Sequence, residues 1–228
     1  MIEKKIIEDK KREFEIKEFI REKLGKGKAS EIKIEHTPLG EKIIITTSKP
    51  GLVIGRGGEI IQEMSETLKK KFGLENPHIE VNQIENPLFD AQTVADEIAL
   101  ALERYGPLAF KLIAYRKLED ILKAGALGAE IRLSGKLPSE RARSWRFAFG
   151  YLKKTGESAK KVVRTAKSVA FTKPGTIGVK VSIVPKDAKI PDKIEINKEA
   201  IEEKLKELIK KEEEKTKVEE KEKKEKKE

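Results

Sequence analysis

At 228 residues the chain exceeds the roughly 100–150 of a typical single domain, so two compact units with extensions are expected. Charged residues make up 39% and hydrophobic residues 37%, against about 25% and about 45–50% in an average globular chain, so part of the length should be solvated and coreless. The absence of cysteine excludes a disulfide framework, a thiolate nucleophile and a Cys-based zinc site, and the lack of a signal-peptide core or of about eighteen consecutive apolar residues points to a cytoplasmic protein with no membrane partner.

Residues 2–24 have a helical pattern, with Phe14, Ile16, Phe19, Ile20 and Leu24 at helix spacings and Gly25 as a stop. Residues 30–37 and 41–47 read as two strands of a hairpin around Pro38-Leu39-Gly40. A glycine loop, Gly55-Arg56-Gly57-Gly58, precedes a helix whose Ile60, Ile61, Met64, Leu68 and Phe72 share a face, and residues 78–84 alternate as a strand. Residues 91–105 and 108–124 predict two helices broken at Gly106-Pro107, with Val94, Ile98, Leu100, Leu102, Leu112, Ile113, Leu118, Ile121 and Leu122 supplying the apolar faces. Strands are expected at 129–133 and 177–184, and further ones at 150–152 and 162–166. From Lys211 onward 16 of 18 residues are Lys or Glu, a charged helix or a disordered tail.

The net charge of +10 is not spread evenly. Residues 1–124 and 186–228 are each balanced, whereas residues 125–185 hold 13 basic side chains against three acidic ones, Glu130, Glu140 and Glu157. A polyanion partner for that stretch is the leading reading, since a surface serving solubility alone does better with mixed signs.

Spacing removes two uses of the glycine loop. A dinucleotide fingerprint needs glycine at Ile60, and a phosphate-binding P-loop needs Gly-Lys-Ser/Thr where Gly58-Glu59-Ile60 stands. A plain tight turn and a GXXG clamp remain. In the clamp, nucleic-acid backbone lies against residues without side chains, while helix-start amides and Arg56 face phosphate. The preceding Val53-Ile54, the amphipathic helix after the loop and the flanking strand favour the clamp and with it a KH domain, of type II because a helix and two strands come first. With a single cation and Glu59 next to it, this loop should contribute modestly to affinity.

In residues 141–154 aromatic and basic side chains interleave. Trp145, Phe147, Phe149 and Tyr151 either stack bases or form the buried face of a strand. The expected RNA contacts of the basic domain are Arg132, Lys136, Arg141, Arg143, Arg146, Lys153, Lys154, Lys160, Lys161, Arg164 and Lys167. The fold expected is α+β: an extension over 1–14, a type II KH domain over 15–86, connecting helices over 87–124, a basic mixed α/β domain over 125–190 and a charged tail over 191–228.

The ordered motifs Val53–Gly58, Gly125-Ala126-Leu127-Gly128-Ala129-Glu130-Ile131, Ser134-Gly135-Lys136-Leu137, Arg141-Ala142-Arg143 and Gly175-Thr176-Ile177-Gly178-Val179-Lys180-Val181 resemble the family of the third small-subunit ribosomal protein, archaeal type, over about residues 10–185. A composition rich in Lys and Glu and poor in Gln matches heat-adapted proteomes. The resemblance implies a structural protein of the small-subunit head, binding ribosomal RNA through the second domain, beside the channel through which mRNA enters and touching ribosomal proteins of head and body. It also implies an mRNA-facing side on the helix before the Gly-Ala junction. There Lys111 matches one basic family position, Leu112 and Tyr115 occupy the others, and Arg116 and Lys117 lie close by.

No residues assemble into a catalytic or metal-binding pattern. His36 and His78 are the only histidines, and Asp90, Asp96, Glu97 and Glu103 read as a solvated helix face rather than an acid/base pair. No catalytic residue, metal ligand or cofactor is expected. A free KH-type RNA regulator is the alternative from the binding class, and a Lys-based lyase acting on abasic DNA the one from the enzyme class.

Overall fold

Helix α1 (Ile2–Leu24) opens the chain, buries Ile16, Ile20 and Leu24 along one face, and ends where Gly25 turns to positive φ. The computed structural model describes residues 2–37, 40–74, 76–188 and 190; the tail expected over 191–228, Pro38 and Leu39 of the first hairpin and Glu75 lie outside them. Strands β1 (Glu31–Thr37) and β2 (Gly40–Thr47) pair antiparallel, and β3 (His78–Gln83) joins β2 in parallel, giving a sheet in the order β1-β2-β3. Between β2 and β3 run a one-turn helix, α2 (Pro50–Ile54), and α3 (Glu59–Phe72). Periodicity alone shows the first of these only as an apolar run. Pro50 fits the first helical turn, where its missing N–H costs nothing, and Val53 is carried into the core. Ile16, Ile20, Ile43, Ile45, Val53, Met64 and Leu68 form that core.

The second half is a two-layer sandwich. Helices α4 (Ala91–Tyr105) and α5 (Phe110–Lys123), separated by the turn Pro107–Ala109, lie on one face of an antiparallel sheet ordered β5-β4-β7-β6. Its strands are β4 (Gly128–Lys136), β5 (Ala142–Gly150), β6 (Arg164–Thr172) and β7 (Gly175–Val184), with a short α6 (Gly156–Lys161) between β5 and β6. The helices read as connectors share one buried core with this sheet: Val94, Ile98 and Leu102 of α4 and Ile113 and Ile121 of α5 pack with Ile131, Leu133, Phe147, Val179 and Val181.

Three expectations change. The strand at 150–152 is instead Ala142–Gly150, because Gly150 leaves the extended region at φ 64° and Tyr151 turns away. The strand at 162–166 begins at Arg164 and runs to Thr172, because Val162, its expected start, keeps helical backbone angles and donates its N–H to the Ser158 carbonyl as the C-cap of α6. Leu100, Leu112 and Leu122 are exposed, since they lie off the arcs that Ile98, Leu102, Ile113 and Ile121 present to the sheet.

The acidic row of α4 is likewise not a solvated face. Asp90 caps the helix by accepting the Thr93 N–H at 2.8 Å. Asp96 is buried and accepts the Gly27 N–H at 3.1 Å and a Gln92 side-chain N–H at 3.0 Å. Glu97 pairs with Lys117 at 2.8 Å. Glu103 takes Lys26 Nζ at 2.7 Å and the Phe171 N–H at 2.9 Å, tying the segment after α1 to α4 and β6.

Hydrogen bonds from Lys26 and from the Phe171 backbone hold the Glu103 carboxyl below its ordinary value. A depressed folded-state value means stabilisation present above the ordinary carboxylate range and lost as pH falls through it. Glu103→Gln should therefore lower the melting temperature at pH 7, and the gap to the parent should begin to narrow as pH falls below about 4.5 and go on narrowing toward the depressed folded-state value. Melting curves at pH 7 and pH 3.5 check this; a gap unchanged between the two would refute it.

Candidate nucleic-acid interface

Alternation along four strands decides which side chains leave the helix-covered face. In β7, Ile177, Val179, Val181 and Ile183 are buried against the helices, so Lys180 and Ser182 stand on the other side; Arg132 of β4, Arg146 of β5 and Lys167 of β6 do the same. Strand register then aligns them. Lys167 is opposite Lys180, Lys180 opposite Arg132, and Arg132 opposite Arg146, one cation from each strand in a row spanning about 14 Å. The row beside it is Val169, Gly178, Ser134 and Ser144, a floor of mostly small side chains that leaves the cations standing clear.

Like charges directly opposite each other destabilise a sheet. Arg132, Lys167 and Lys180 have no ion-pair partner among the described residues; Arg146 shares Glu130 with Lys154, at 3.1 and 2.8 Å. Burial opposes ionisation of Glu130, but hydrogen bonds from Lys154 and Arg146 hold its carboxyl below its ordinary value, so it stays an anion. The segment after β5 folds over one end of this face. Leu152, Lys153, Lys154, Ala159 and Val163 wall a depression of about 320 Å³ with Glu130, Arg132, Thr165, Lys180 and Ser182. Such a surface is built to receive several negative charges along a line.

The structure thus gathers Arg132, Arg146, Lys153, Lys154 and Lys167 at one face and adds Lys180. Sequence reasoning counts Lys180 in the charge excess without selecting it, although the alternation of Ile177, Val179 and Val181 is the signal that finds it. Lys160 and Lys161 lie exposed on α6, where Lys161 pairs with Glu157. Lys136 and Arg141 lie at the β4–β5 hairpin. Arg143 is exposed on the strand parity of Trp145, opposite to that of the row, and Arg164 at the start of β6 shares the parity of Ala166.

The aromatics of β5 belong to the core. Phe147 is buried, Trp145 and Phe149 pack against the same cluster, and Phe110 meets Trp145 and Phe147 at ring-centre distances of 5.5 and 6.3 Å. Base stacking by these three is therefore excluded in favour of the strand-face reading, and only Tyr151 points outward, at 44% exposure.

The glycine loop has its own geometry. Gly55, Gly57 and Gly58 all have positive φ, and Gly58 caps α3 without a side-chain hydrogen bond, so the first amides of α3 receive no side-chain cap. A Cβ at Gly55 would lie 2.7 Å from Ile60, whereas at Gly57 and Gly58 the space is open. Gly55 is thus required by packing, and Gly57 and Gly58 leave bare backbone facing outward. Arg56 is exposed and unpaired among the described residues. Arg56→Ala should lower the slope of log affinity against log salt by about 0.9 and cost less than tenfold in RNA affinity. A filter-binding salt series measures both, and a loss above a hundredfold would make the loop a principal anchor.

The three residues of the expected mRNA-facing side do not converge. Lys111 stands over the Trp145 ring at 4.8 Å, Lys117 is engaged by Glu97, and Arg116 is about 140° around α5 from Lys111. His36 lies between Glu13 and Glu41 at 3.4 and 3.6 Å, and no cluster able to hold a metal occurs among the described residues. No described helix is long and apolar enough to cross a membrane.

The chain is similar to known proteins over most of its length. A family model described as "KH domain" matches residues 15–87, and one described as "Ribosomal protein S3, C-terminal domain" matches residues 98–183. The small ribosomal subunit protein uS3 of Methanocaldococcus jannaschii is 43% identical over 200 residues, 88% of this chain and 95% of that protein. Its counterpart in Archaeoglobus fulgidus is 39% identical over 88% of this chain and 86% of that protein. The one in Halobacterium salinarum is 42% identical over 82% of this chain, which spans only 61% of that longer protein.

Proposed function

The chain belongs to the family of the small ribosomal subunit protein uS3, a family of structural ribosomal proteins and not of enzymes, and from that premise we propose how it holds RNA. It is a constituent of the small subunit in cytoplasmic ribosomes. In the proposed reading it sits in the subunit head and binds ribosomal RNA through the open face of the β5-β4-β7-β6 sheet. Lys167, Lys180, Arg132 and Arg146 meet successive phosphates, and Lys153 and Lys154 close over them from the wall of the depression. The observation that carries this is the row of four aligned cations, three of them without an ion-pair partner among the described residues. Phosphate is the group that lowers the energy of such a row, because released counterions add to the direct attraction.

The glycine loop of the KH domain supplies a second, weaker backbone contact. Neighbouring proteins of head and body are the further partners, and the channel through which mRNA enters lies on the α5 side. Sedimentation of native lysate through a magnesium-containing gradient tests the reading, with the protein followed by mass spectrometry and the run repeated at high salt. Stoichiometric comigration with small subunits that survives the salt step is expected. Recovery at the top of the gradient in both runs would leave a free KH regulator.

A further inference from the structure

The depression beside the cation row has a chemistry of its own. Two residues along each strand from the row, about 7 Å away, strand register sets Thr165, Ser182, Glu130 and Ala148 side by side. Its lining thus includes two hydroxyls, 3.2 Å apart, and a carboxylate, and Leu152, Ala159 and Val163 add aliphatic surface. A phosphate lodged there would meet the negative charge of Glu130 and gain nothing from aliphatic walls. The phosphates therefore belong to the row, and the depression to another part of the same strand. A nucleobase has the matching properties: flat apolar faces for Leu152 and Val163, and N–H groups on its edge for carboxylate oxygens. At about 320 Å³ the depression stands at the small end of the roughly 300–1,000 Å³ of small-molecule sites, room for one base.

We infer that the depression holds one guanine turned out of the stacked RNA strand, with Glu130 accepting from its Watson–Crick edge while Arg132 and Lys180 hold the phosphates on either side. Guanine is the base whose Watson–Crick edge sets two N–H donors, N1 and N2, next to each other, as a two-oxygen acceptor requires. Adenine and cytosine offer one amino group beside a bare ring nitrogen that a carboxylate repels, and uracil one N–H between two carbonyls. Glu130 Oε1 takes Arg146 at 3.1 Å and Oε2 takes Lys154 at 2.8 Å, and each oxygen has a second lone pair. The Lys154 side chain is half exposed, so its ammonium passes to a phosphate when RNA arrives and uncovers Oε2. The inference rests on the RNA-binding reading of this face and adds which base the face selects.

The full-length chain is mixed with a pool of RNA hairpins that carry a randomised single-stranded loop, and bound and unbound RNA are sequenced. Guanine at one loop position should be enriched about tenfold over each other base. In the selected RNA, inosine at that position, which lacks the N2 amino group, should bind the unaltered protein about fivefold more weakly. Glu130→Gln keeps the shape and turns one acceptor into a donor, and should bring the guanine preference below about twofold. Val163→Trp, which fills the depression and leaves the cation row in place, should do the same while affinity for the whole pool falls less than about threefold. A parent chain that binds the pool without preferring guanine, inosine that binds as well as guanine, or a Glu130→Gln chain that keeps the preference overturns the base site and leaves the phosphate row standing. A parent chain that does not bind the pool overturns the RNA reading, and the base site with it.

Discussion

Replacing Arg132, Lys167 and Lys180 together by alanine is expected to lower affinity for small-subunit RNA by about 500-fold at about 0.1 M salt while leaving the fold as stable as before. Each phosphate left without its cation takes about 0.9 off the slope of log affinity against log salt, so three take off about 2.7. All three side chains are exposed and have no ion-pair partner among the described residues, so no buried group is stranded by their removal. Relief of like charges placed directly opposite one another should, if anything, raise the melting temperature, since such pairs cost roughly 0.2–1 kcal/mol each. The measurement is a salt series of RNA affinity beside a melting curve. A slope that falls by less than one unit would show that the phosphates lie elsewhere. Arg146 is left in place because Glu130 holds it, and its loss would mix binding with sheet stability.

Gly128→Ala should be the most damaging single change in the basic half. Gly128 and Gly150 face each other across β4 and β5, and the chain on either side passes so close that a Cβ at Gly128 would lie 2.0 Å from the carbonyl oxygen of Tyr151. That oxygen belongs to backbone anchored by the hydrogen bond from the Tyr151 N–H to Leu127, 3.0 Å, and Leu127 is itself bonded to Val184. No rotamer change relieves the clash. About 3 kcal/mol or more of stability is expected to be lost, lowering the melting temperature by about 6–12 °C. RNA affinity should fall with it, because the displaced segment carries Lys153 and Lys154 over the cation row. Gly125→Ala is the control: its Cβ meets nothing within 4 Å, so only the positive φ of 89° costs energy, about 1–2 kcal/mol. A Gly128→Ala protein that melts within about 2 °C of the parent would refute the account.

The sequence motifs and this geometry explain each other unequally. The Gly-Ala junction is legible as a pattern, but only the paired strands show that Gly128 is needed for a backbone crossing and Gly125 for a turn. Leu100, Leu112 and Leu122 read as core and are exposed, because an apolar residue in a helix does not say which neighbour covers it. Asp96 reads as solvated and is buried, because the Gly27 N–H that it satisfies lies 69 residues away in the chain.

What the sequence determined alone is what short-range physics controls: helices from 3.6-residue spacing, the glycine loop ahead of α3, strands from alternation, and a positive charge confined to residues 125–185. What the tertiary structure decided is which of those charges act together. Arg132, Arg146, Lys167 and Lys180 are far apart in the chain and become neighbours only because four strands pair in the order β5-β4-β7-β6 with that register. Strand order and register are set by burying one face of all four strands under α4 and α5, an energy that no segment possesses by itself, and a one-residue slip would turn each cation toward the core.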